Sequence, residues 1–442
     1  MHTIKPRFRN LSPLAVISGS FLFLIILGTL LLKLPIATEK PISWIDAFFS
    51  ATSGTTVTGL SVFDVESTLT LFGEIVMLVL IQCGGIGLMT FAVVILVLLG
   101  RKIGLKNRIY IQESFSQSSI GGMVKLVQRI CIFVFSIEGV AIVIMSMHWI
   151  PDFGWAKGIY YSIFHVVSAF NNAGFALFPD NLIQFAGDPI VNIILSLLFI
   201  IGGLGFVVVM EILQKNSFNK WSLHTKMMIV GTVLLNSIAT IIIFVLEYNN
   251  PSTIGNFSLF DKFLASYFQA VAPRTAGFNT IATGEMEDTS LLFTMLLMFI
   301  GGGSASTASG IKLTTFMVVL LSTISFIRGI QEPHLFNRSI KTEIIIRSLA
   351  IVTVSMFINF FFISMLTITE NIPLLPLAFE VVSSFGTVGL STGITADLSN
   401  VGKVVLCIVM FIGRIGPLTL FFLLLKPKKE KYKFPNDQVH TG

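Results

Sequence analysis

The stretch Ser53-Gly-Thr-Thr-Val-Thr-Gly-Leu60 decides how the rest of the chain is interpreted. It lies between two apolar segments, yet its side chains are small and rich in hydroxyl groups, which is typical of neither a membrane helix nor a polar loop. Its ending is a small or β-branched residue, then glycine, then a large apolar residue. That ending returns at Asn172-Ala-Gly-Phe175, Thr275-Ala-Gly-Phe278 and Thr387-Val-Gly-Leu390. We expect these four loops to converge on one axis.

The composition points to an integral membrane protein. Of the 442 residues, 54% are hydrophobic and only 12% are charged, and the mean hydropathy is +0.86. A soluble protein of this composition would have too little polar surface to cover its core, so we expect lipid around the chain. The basic residues are dispersed among short loops, which excludes a nucleic-acid partner. The apolar run 11–32 is too long for a signal peptide and predicts the first membrane helix.

Each loop stands at the same place in a repeated order: a spanning helix, a short half-helix, the loop and a returning helix. The loop glycines Gly59, Gly174, Gly277 and Gly389 are 115, 103 and 112 residues apart. The predicted fold is an all-α integral membrane protein. It has four tandem repeats and eight spanning helices in pseudo-fourfold symmetry around one pore. The repeats are 1–100, 101–218, 219–330 and 331–442, the last of which includes a cytosolic tail.

Apolar runs set the predicted bounds of these segments. The spanning helices are 12–32, 127–150, 223–246 and 344–368. The half-helices are 42–52, 155–170, 261–272 and 374–384. The returning runs are 72–99, 189–213, 290–327 and 401–425.

Glycines in the returning runs form a second landmark. From each loop glycine to Gly85, Gly203, Gly302 and Gly413 the offsets are 26, 29, 25 and 24 residues. Small residues let helices approach closely. We therefore predict that each half-helix nests against its returning helix.

The distribution of charge predicts the orientation. Of the 29 Lys and Arg residues, 21 lie in five segments: the N-terminus, 101–129, 215–226, 328–347 and 426–433. By the positive-inside rule these segments and both termini are cytoplasmic, which requires an even number of spans. The loops on the other side hold 15 acidic and 5 basic residues. They either form a vestibule that concentrates cations or are simply solvated loops.

Non-helical backbone at membrane depth must be buried in protein or line a watery cavity. The C-terminal end of each half-helix points a partial negative charge at its loop. Carbonyl groups from four loops can then replace the hydration shell of K⁺, and glycine permits the positive φ that this needs. The candidate ion-binding residues are Thr56, Val57, Thr58, Gly59, Asn172, Ala173, Gly174, Thr275, Ala276, Gly277, Thr387, Val388 and Gly389.

The third returning run, 290–327, predicts a gate. Its 38 residues are nearly twice what a bilayer needs, and its centre is a poor helix former, rich in Gly and Ser. We predict two helical halves joined by a flexible loop, 301–310, beneath the filter. The candidate gating residues are Gly301, Gly302, Gly303, Ser304, Ala305, Ser306, Thr307, Gly310, Lys312 and Arg414.

Ionisable residues at membrane depth are costly and usually functional. Arg414 either donates hydrogen bonds to this loop or pairs with Glu138 or another buried acid. Lys312 either serves the gate or extends to the cytoplasmic surface. Arg274 either faces the outer vestibule or is anchored to Glu380 or Asp261, and the sequence does not decide between these.

These motifs resemble the Trk/Ktr/HKT superfamily of cation transporters, and over its whole length the chain is most similar to bacterial KtrB-type potassium-translocating subunits. The resemblance implies potassium uptake through a single-chain pore in the bacterial cytoplasmic membrane. One glycine per loop would carry selectivity, and the loop 301–310 with Arg414 would gate. It also implies a homodimer and a cytosolic nucleotide-binding regulatory ring of the KtrA type. We expect no organic cofactor on this chain.

Other functions remain open. In plant relatives a serine in the first loop accompanies sodium permeation, so Gly59 favours K⁺. The second and third loops depart from Thr-Val, so we expect weak discrimination against Na⁺. An alternating-access symporter also uses broken helices, but four repeats of one orientation argue against inverted repeats. A membrane enzyme would need His, Asp or Glu clustered at one depth, so the chain is not predicted to be an enzyme. Gly85-Ile-Gly87 follows no strand and does not indicate nucleotide binding.

Overall fold

The computed structural model describes residues 13–98, 120–304, 306–330 and 332–417, and these are mostly helical. The helices are α1 (Pro13–Leu32), α2 (Trp44–Thr56), α3 (Val65–Thr68), α4 (Leu71–Leu98), α5 (Ile120–Phe153), α6 (Trp155–Phe170), α7 (Pro189–Leu204), α8 (Phe206–Gln214), α9 (Leu223–Glu247), α10 (Leu259–Val271), α11 (Asp288–Phe299), α12 (Leu313–Ile327), α13 (Thr342–Thr369), α14 (Leu374–Gly386) and α15 (Asn400–Ile415). A small antiparallel hairpin pairs β1 (His334–Leu335) with β2 (Arg338–Ser339).

The four short helices α2, α6, α10 and α14 correspond to the predicted half-helices. Helix α6 has the predicted bounds. Helix α2 ends at Thr56 rather than Thr52, so the first half of the opening stretch forms its last turn. Its threonines fit a helix because their hydroxyl groups bond back one turn: Thr56 Oγ1 donates to the Thr52 carbonyl at 2.7 Å. Serine caps fix where α2 and α10 begin. Ser43 accepts from the Asp46 N–H at 3.0 Å and Ser258 from the Asp261 N–H at 3.2 Å.

The second returning run is broken, which the sequence analysis did not anticipate. It forms α7 and α8, which meet at an angle of 95°. Gly205 stands at the break with φ of 99° and ψ of 133°, a conformation essentially reserved for glycine. The third run is broken as predicted, between α11 and α12. In the fourth run α15 ends at Ile415, where Gly416 turns the chain with φ of 91°, and residues beyond 417 lie outside the described part.

Helix packing follows the repeated order. The long helix at the start of each predicted repeat contacts both the short helix and the returning helix that follow it: α1 with α2 and α4, α5 with α6 and α7, α9 with α10 and α11, and α13 with α14 and α15. Each returning helix also contacts the short helix of the next quarter. These pairs are α4–α6, α7–α10, α11–α14 and α15–α2. The last pair joins the end of the chain to its beginning, so the contacts close into a ring.

Several of the described helices have the length and composition of membrane spans. Three of them are long and apolar enough to span a bilayer: Gln128–Phe153, Leu223–Glu247 and Thr342–Thr369. The bent pair α7–α8 makes a fourth if it counts as one span, and shorter apolar helices accompany them. Large apolar side chains are exposed on the outside, such as Phe23 at 64% and Phe360 at 72%. Such a surface suits hydrocarbon rather than water.

Candidate functional site: a ring of four loops and the loop bonded to it

The four loops that follow the short helices share one backbone conformation. Two residues before each loop glycine φ is positive, at Val57 (57°), Asn172 (60°), Thr275 (79°) and Thr387 (47°). At the glycines φ is again positive, at Gly59 (98°), Gly174 (71°), Gly277 (72°) and Gly389 (94°). A left-handed conformation costs a residue with a side chain roughly 1–2 kcal/mol. The same strain at four equivalent positions indicates a backbone held in place by its surroundings.

The loops meet one another in chain order. A Cβ added to Gly59 would overlap the carbonyl oxygen of Ala173 in the second loop, and one added to Gly174 would lie 2.8 Å from that of Ala276 in the third. At Gly277 it would overlap the Val388 carbonyl oxygen, and at Gly389 that of Thr58 in the first loop. Each loop glycine therefore faces the carbonyl group that precedes the glycine of the next loop. The series closes on itself.

The short helices direct their C-terminal ends at this ring, since α2, α6, α10 and α14 all end three to six residues before a loop glycine. The partial negative charge of a helix C-terminus favours a cation. The threonine hydroxyls mostly bond within the protein: Thr58 Oγ1 lies 2.7 Å from Thr56 Oγ1, and Thr275 Oγ1 accepts from Asn172 Nδ2 at 3.2 Å. The Thr387 hydroxyl, by contrast, is buried and has no hydrogen-bond partner within the described part of the chain.

A serine lies six residues before three of the four loop glycines, and it is not among the residues predicted from the sequence. Ser53 Oγ accepts from the Gly59 N–H at 3.1 Å, and Ser383 Oγ accepts from the Gly389 N–H at 3.1 Å. Ser168 Oγ instead donates to the Phe175 carbonyl at 2.8 Å. The constant spacing is visible in the sequence, but it becomes informative only once the loop conformation is known.

The second glycine landmark has a physical basis. A Cβ added to Gly84, Gly202 or Gly413 would overlap a carbonyl oxygen at the end of a short helix. These carbonyls belong to residues four before the loop glycines, namely Thr55, Phe170 and Phe385. The equivalent glycines in the first two quarters are thus Gly84 and Gly202, one residue before those aligned from sequence. In the third quarter Gly301 packs against Ser309 of its own loop.

The residues between α11 and α12 form a loop whose two ends are hydrogen-bonded to each other. Ile300 and Ile311 form a parallel bridge, and the Gly301 N–H donates to the Ile311 carbonyl at 2.8 Å. The Leu313 N–H donates to the Gly302 carbonyl at 3.0 Å. The two ends of the loop are therefore held together, while its centre extends toward the second returning run.

Carbonyl groups at the break in the second returning run bind this loop. A helix that stops leaves its last carbonyls without partners in the helix. Here the Gly203 carbonyl accepts from the Gly303 N–H at 2.7 Å, and the Gly202 carbonyl accepts from the Thr307 N–H at 3.3 Å. The unpredicted bend at Gly205 thus serves the predicted loop.

Arg414, which is buried, contacts the loop through its guanidinium group. Nη1 donates to the Thr307 carbonyl and, at 3.1 Å, to Ser309 Oγ, while Nη2 donates to the Gly84 carbonyl at 2.6 Å. Its partners are therefore neutral. The alternative of a pair with Glu138 is not what the structure has, because Glu138 accepts from Gln82 Nε2 at 3.2 Å.

A second bond joins the loop to the ring. Thr307 Oγ1 donates to Asn172 Oδ1 at 2.7 Å, and Asn172 Nδ2 donates to the Phe199 carbonyl at 3.2 Å as well as to Thr275. The side chain of Thr307 thus contacts the ring, and the backbone carbonyl of Thr307 accepts from Arg414. Lys312 Nζ donates to the Ala308 carbonyl at 2.8 Å, so it stays with the loop rather than extending to the cytoplasmic surface.

The comparisons with known proteins agree with this architecture. The family model for TrkH, a cation transport protein, matches residues 11–432. The chain belongs to this family. Its members are transporters rather than enzymes. The crystal structure of the potassium transporter TrkH from Vibrio parahaemolyticus superposes with a TM-score of 0.71 at 20% identity. That match covers 96% of this chain and 87% of the other, so the two share a fold.

Curated relatives within the family are much more similar in sequence. The Ktr system potassium uptake protein B of Bacillus subtilis is 52% identical over 98% of this chain and 97% of its own length. The protein of the same name from Vibrio alginolyticus is 39% identical over 97% and 94%. The potassium/sodium uptake protein NtpJ of Enterococcus hirae is 36% identical over the full length of both chains.

The remaining predicted residues fall as follows. Arg274 is buried and donates to Asn236 Oδ1 at 3.0 Å and to Thr232 Oγ1 at 3.5 Å, so it binds α9. The predictions that Arg274 faces the outer vestibule, or is anchored to Glu380 or Asp261, are therefore wrong. Glu380 instead accepts from Ser391 and, at 3.1 Å, from Thr395. Ala305 lies outside the described residues.

Proposed function

We propose that this chain carries potassium into the cell through the ring of carbonyl groups supplied by its four loops. The observation that supports this most is the closed series in which each loop glycine faces the carbonyl that precedes the next loop glycine. Such a ring, with four helix C-termini directed at it, can replace the hydration shell of K⁺. The relatives from Bacillus subtilis and Vibrio alginolyticus are named as potassium uptake proteins.

The architecture proposed for this pore is four repeats with eight spanning helices in pseudo-fourfold symmetry. The repeats are 1–100, 101–218, 219–330 and 331–442. The closed pattern of contacts from α4–α6 to α15–α2 supports it. The five basic segments are proposed to be cytoplasmic, so both termini would lie on the cytoplasmic side of the bacterial cytoplasmic membrane.

The proposed filter consists of the carbonyl groups at and just before the loop glycines, and K⁺ is the proposed cargo. Uptake that also admits sodium is the second candidate, and one relative is named a potassium/sodium uptake protein. The four loops differ in sequence, so the ring has unequal quarters. Unequal quarters fit K⁺ less strictly than four identical ones would.

The loop 301–310 is the proposed gate, and the conformation described here is proposed to be closed. Arg414 holds the Thr307 carbonyl, Lys312 holds that of Ala308, and the Thr307 hydroxyl bonds to Asn172 in the ring. Opening would have to release these bonds together. An alternating-access carrier is the rival mechanism, and sustained flux far above carrier turnover would exclude it.

Partners complete the proposal. Two relatives are named for the Ktr system, which suggests that this chain also acts as one subunit of a system. We propose a homodimer controlled by a cytosolic nucleotide-binding ring that docks on the basic cytoplasmic segments.

The test is rescue of a bacterium that lacks potassium uptake systems, grown at low external potassium. The parental chain should restore growth, and Gly59→Ser, expressed at the same membrane level, should admit more sodium because its side chain would overlap the Ala173 carbonyl. Competition between Rb⁺ and Na⁺ in reconstituted vesicles measures the discrimination. Failure to rescue despite normal membrane insertion, or a sodium flux above the potassium flux in the parental chain, would contradict the proposal.

A further inference from the structure

We propose that Ser53 and Ser383 are positioning residues that fix two of the four ring carbonyls, those of Thr58 and Val388, and so set how well the ring discriminates between ions. This inference rests on the proposed pore. It assigns the discrimination to side chains behind the ring that touch no ion.

The peptide group that joins Thr58 to Gly59 is rigid. The carbonyl of Thr58 and the N–H of Gly59 belong to one planar peptide unit, and in the trans form they point in opposite directions. Ser53 Oγ accepts that N–H at 3.1 Å. Holding the N–H from behind therefore directs the Thr58 carbonyl away from Ser53, toward the position of Gly389 on the other side.

A second bond from the same serine holds the preceding peptide unit. The Thr58 N–H donates to the Ser53 carbonyl at 2.8 Å. One residue of α2 thus fixes the peptide units on both sides of Thr58. Ser53 is fully buried, so no water competes for its hydroxyl group.

The fourth loop repeats this arrangement atom for atom. The Val388 N–H donates to the Ser383 carbonyl at 2.8 Å, and the Gly389 N–H donates to Ser383 Oγ at 3.1 Å. Ser383 is also fully buried. The fixed Val388 carbonyl faces Gly277, as the Thr58 carbonyl faces Gly389.

The other two loops are held differently. Ser168 in α6 occupies the same place before the second loop, and its carbonyl likewise accepts from the Ala173 N–H at 2.8 Å. Its hydroxyl, however, donates to the Phe175 carbonyl, and Val271 at the end of α10 has no hydroxyl. Those loops are joined to each other by Asn172 and Thr275. The ring therefore has two neighbouring loop glycines whose N–H is held by a serine hydroxyl, and two without such an acceptor.

The experiment compares alanine variants of the three serines in the full-length chain reconstituted in vesicles. Ser53→Ala and Ser383→Ala each remove the acceptor for one glycine N–H, so each should lower the preference for Rb⁺ over Na⁺ by about 2- to 10-fold, the range expected for one net hydrogen bond. Ser168→Ala is the matched control and should leave this preference close to the parental value. Ser383→Thr keeps the hydroxyl group and should preserve most of it.

The outcomes separate this inference from the proposed function. If Gly59→Ser alters discrimination while Ser53→Ala and Ser383→Ala do not, the positioning role is wrong and the pore stands. If Ser168→Ala loses as much discrimination as the other two, the serines act through packing alone, and the inference also fails. If neither the glycine variant nor the serine variants alter it, the ring is not the filter. A thermal melt of each purified variant shows whether a changed preference accompanies loss of the fold.

Discussion

Replacing Thr307 with valine would test how the loop 301–310 is held against the ring. Valine keeps the β-branched shape of threonine, so the backbone bonds of residue 307 to Gly202 and Arg414 can persist. The bonds that Thr307 Oγ1 donates, to Asn172 Oδ1 at 2.7 Å and to the Phe170 carbonyl at 3.5 Å, are lost. The substitution thus removes only the hydroxyl group's contacts with Asn172 in the ring and with the end of α6.

The expected magnitude follows from the burial of both groups. Thr307 and Asn172 are each 1% exposed, so water cannot replace the missing donor. A buried acceptor left without a partner costs about 1–3 kcal/mol. If the loop conformation bonded to the ring loses that much free energy relative to the released conformation, the equilibrium between the two shifts by roughly 5- to 150-fold. Because the bonded conformation is proposed to be closed, flux should rise.

The assay is ion efflux from vesicles that contain the purified chain without any partner. Thr323→Val is the matched control, since Thr323 Oγ1 donates to the Val319 carbonyl at 2.9 Å within α12 and is exposed. It should change flux little, as exposed substitutions usually alter stability by under about 0.5 kcal/mol. A fall in flux for Thr307→Val, with an unchanged melting temperature, would refute the reasoning and show that the loop supports the ring rather than closing it.

Three further predictions concern the same framework. Arg414→Gln removes the charged donor to Thr307 and should raise efflux more than Thr307→Val does, because bonds to charged groups contribute about 1.5–3 kcal/mol; efflux at or below the parental level would argue against it. Gly205→Ala forces a side chain into a conformation that costs about 1–3 kcal/mol, so a thermal melt should show a less stable protein with altered efflux. Glu211→Gln weakens a carboxylate that accepts from Ser222 Oγ at 2.6 Å, and it should destabilise the α8–α9 junction by about 1–3 kcal/mol; an equal melting temperature would contradict this.

The sequence was sufficient to predict the order of the helices and the position of the loops. Apolar length separates half-helices from longer helices, and glycine marks the backbone that must turn, so α6 and the break before α12 were found from local signals. The end of α2 was misplaced because hydroxyl-rich residues favour loops in general. In this helix their hydroxyl groups bond to carbonyls one turn earlier.

The remaining features depend on contacts between distant parts of the chain. The bend at Gly205 uses a glycine that is equally well explained by close helix packing, and only its bonds to the third returning run distinguish the two. The sequence leaves Arg274 undecided between the outer vestibule and the acidic partners Glu380 and Asp261, yet in the structure it binds neutral groups on α9. No periodicity encodes the pairing of Thr307 with Asn172, which are 135 residues apart.

The closing contact of the ring has a consequence for biosynthesis. Gly389 faces the carbonyl of Thr58, about 330 residues earlier in the chain, and α15 packs against α2. Helical segments insert in order as the ribosome proceeds, and domains form from the N-terminal side first. The first three loops must therefore wait in the bilayer without their last neighbour. A chain that stops short of residue 389 leaves the ring of loops open between the third loop and the first.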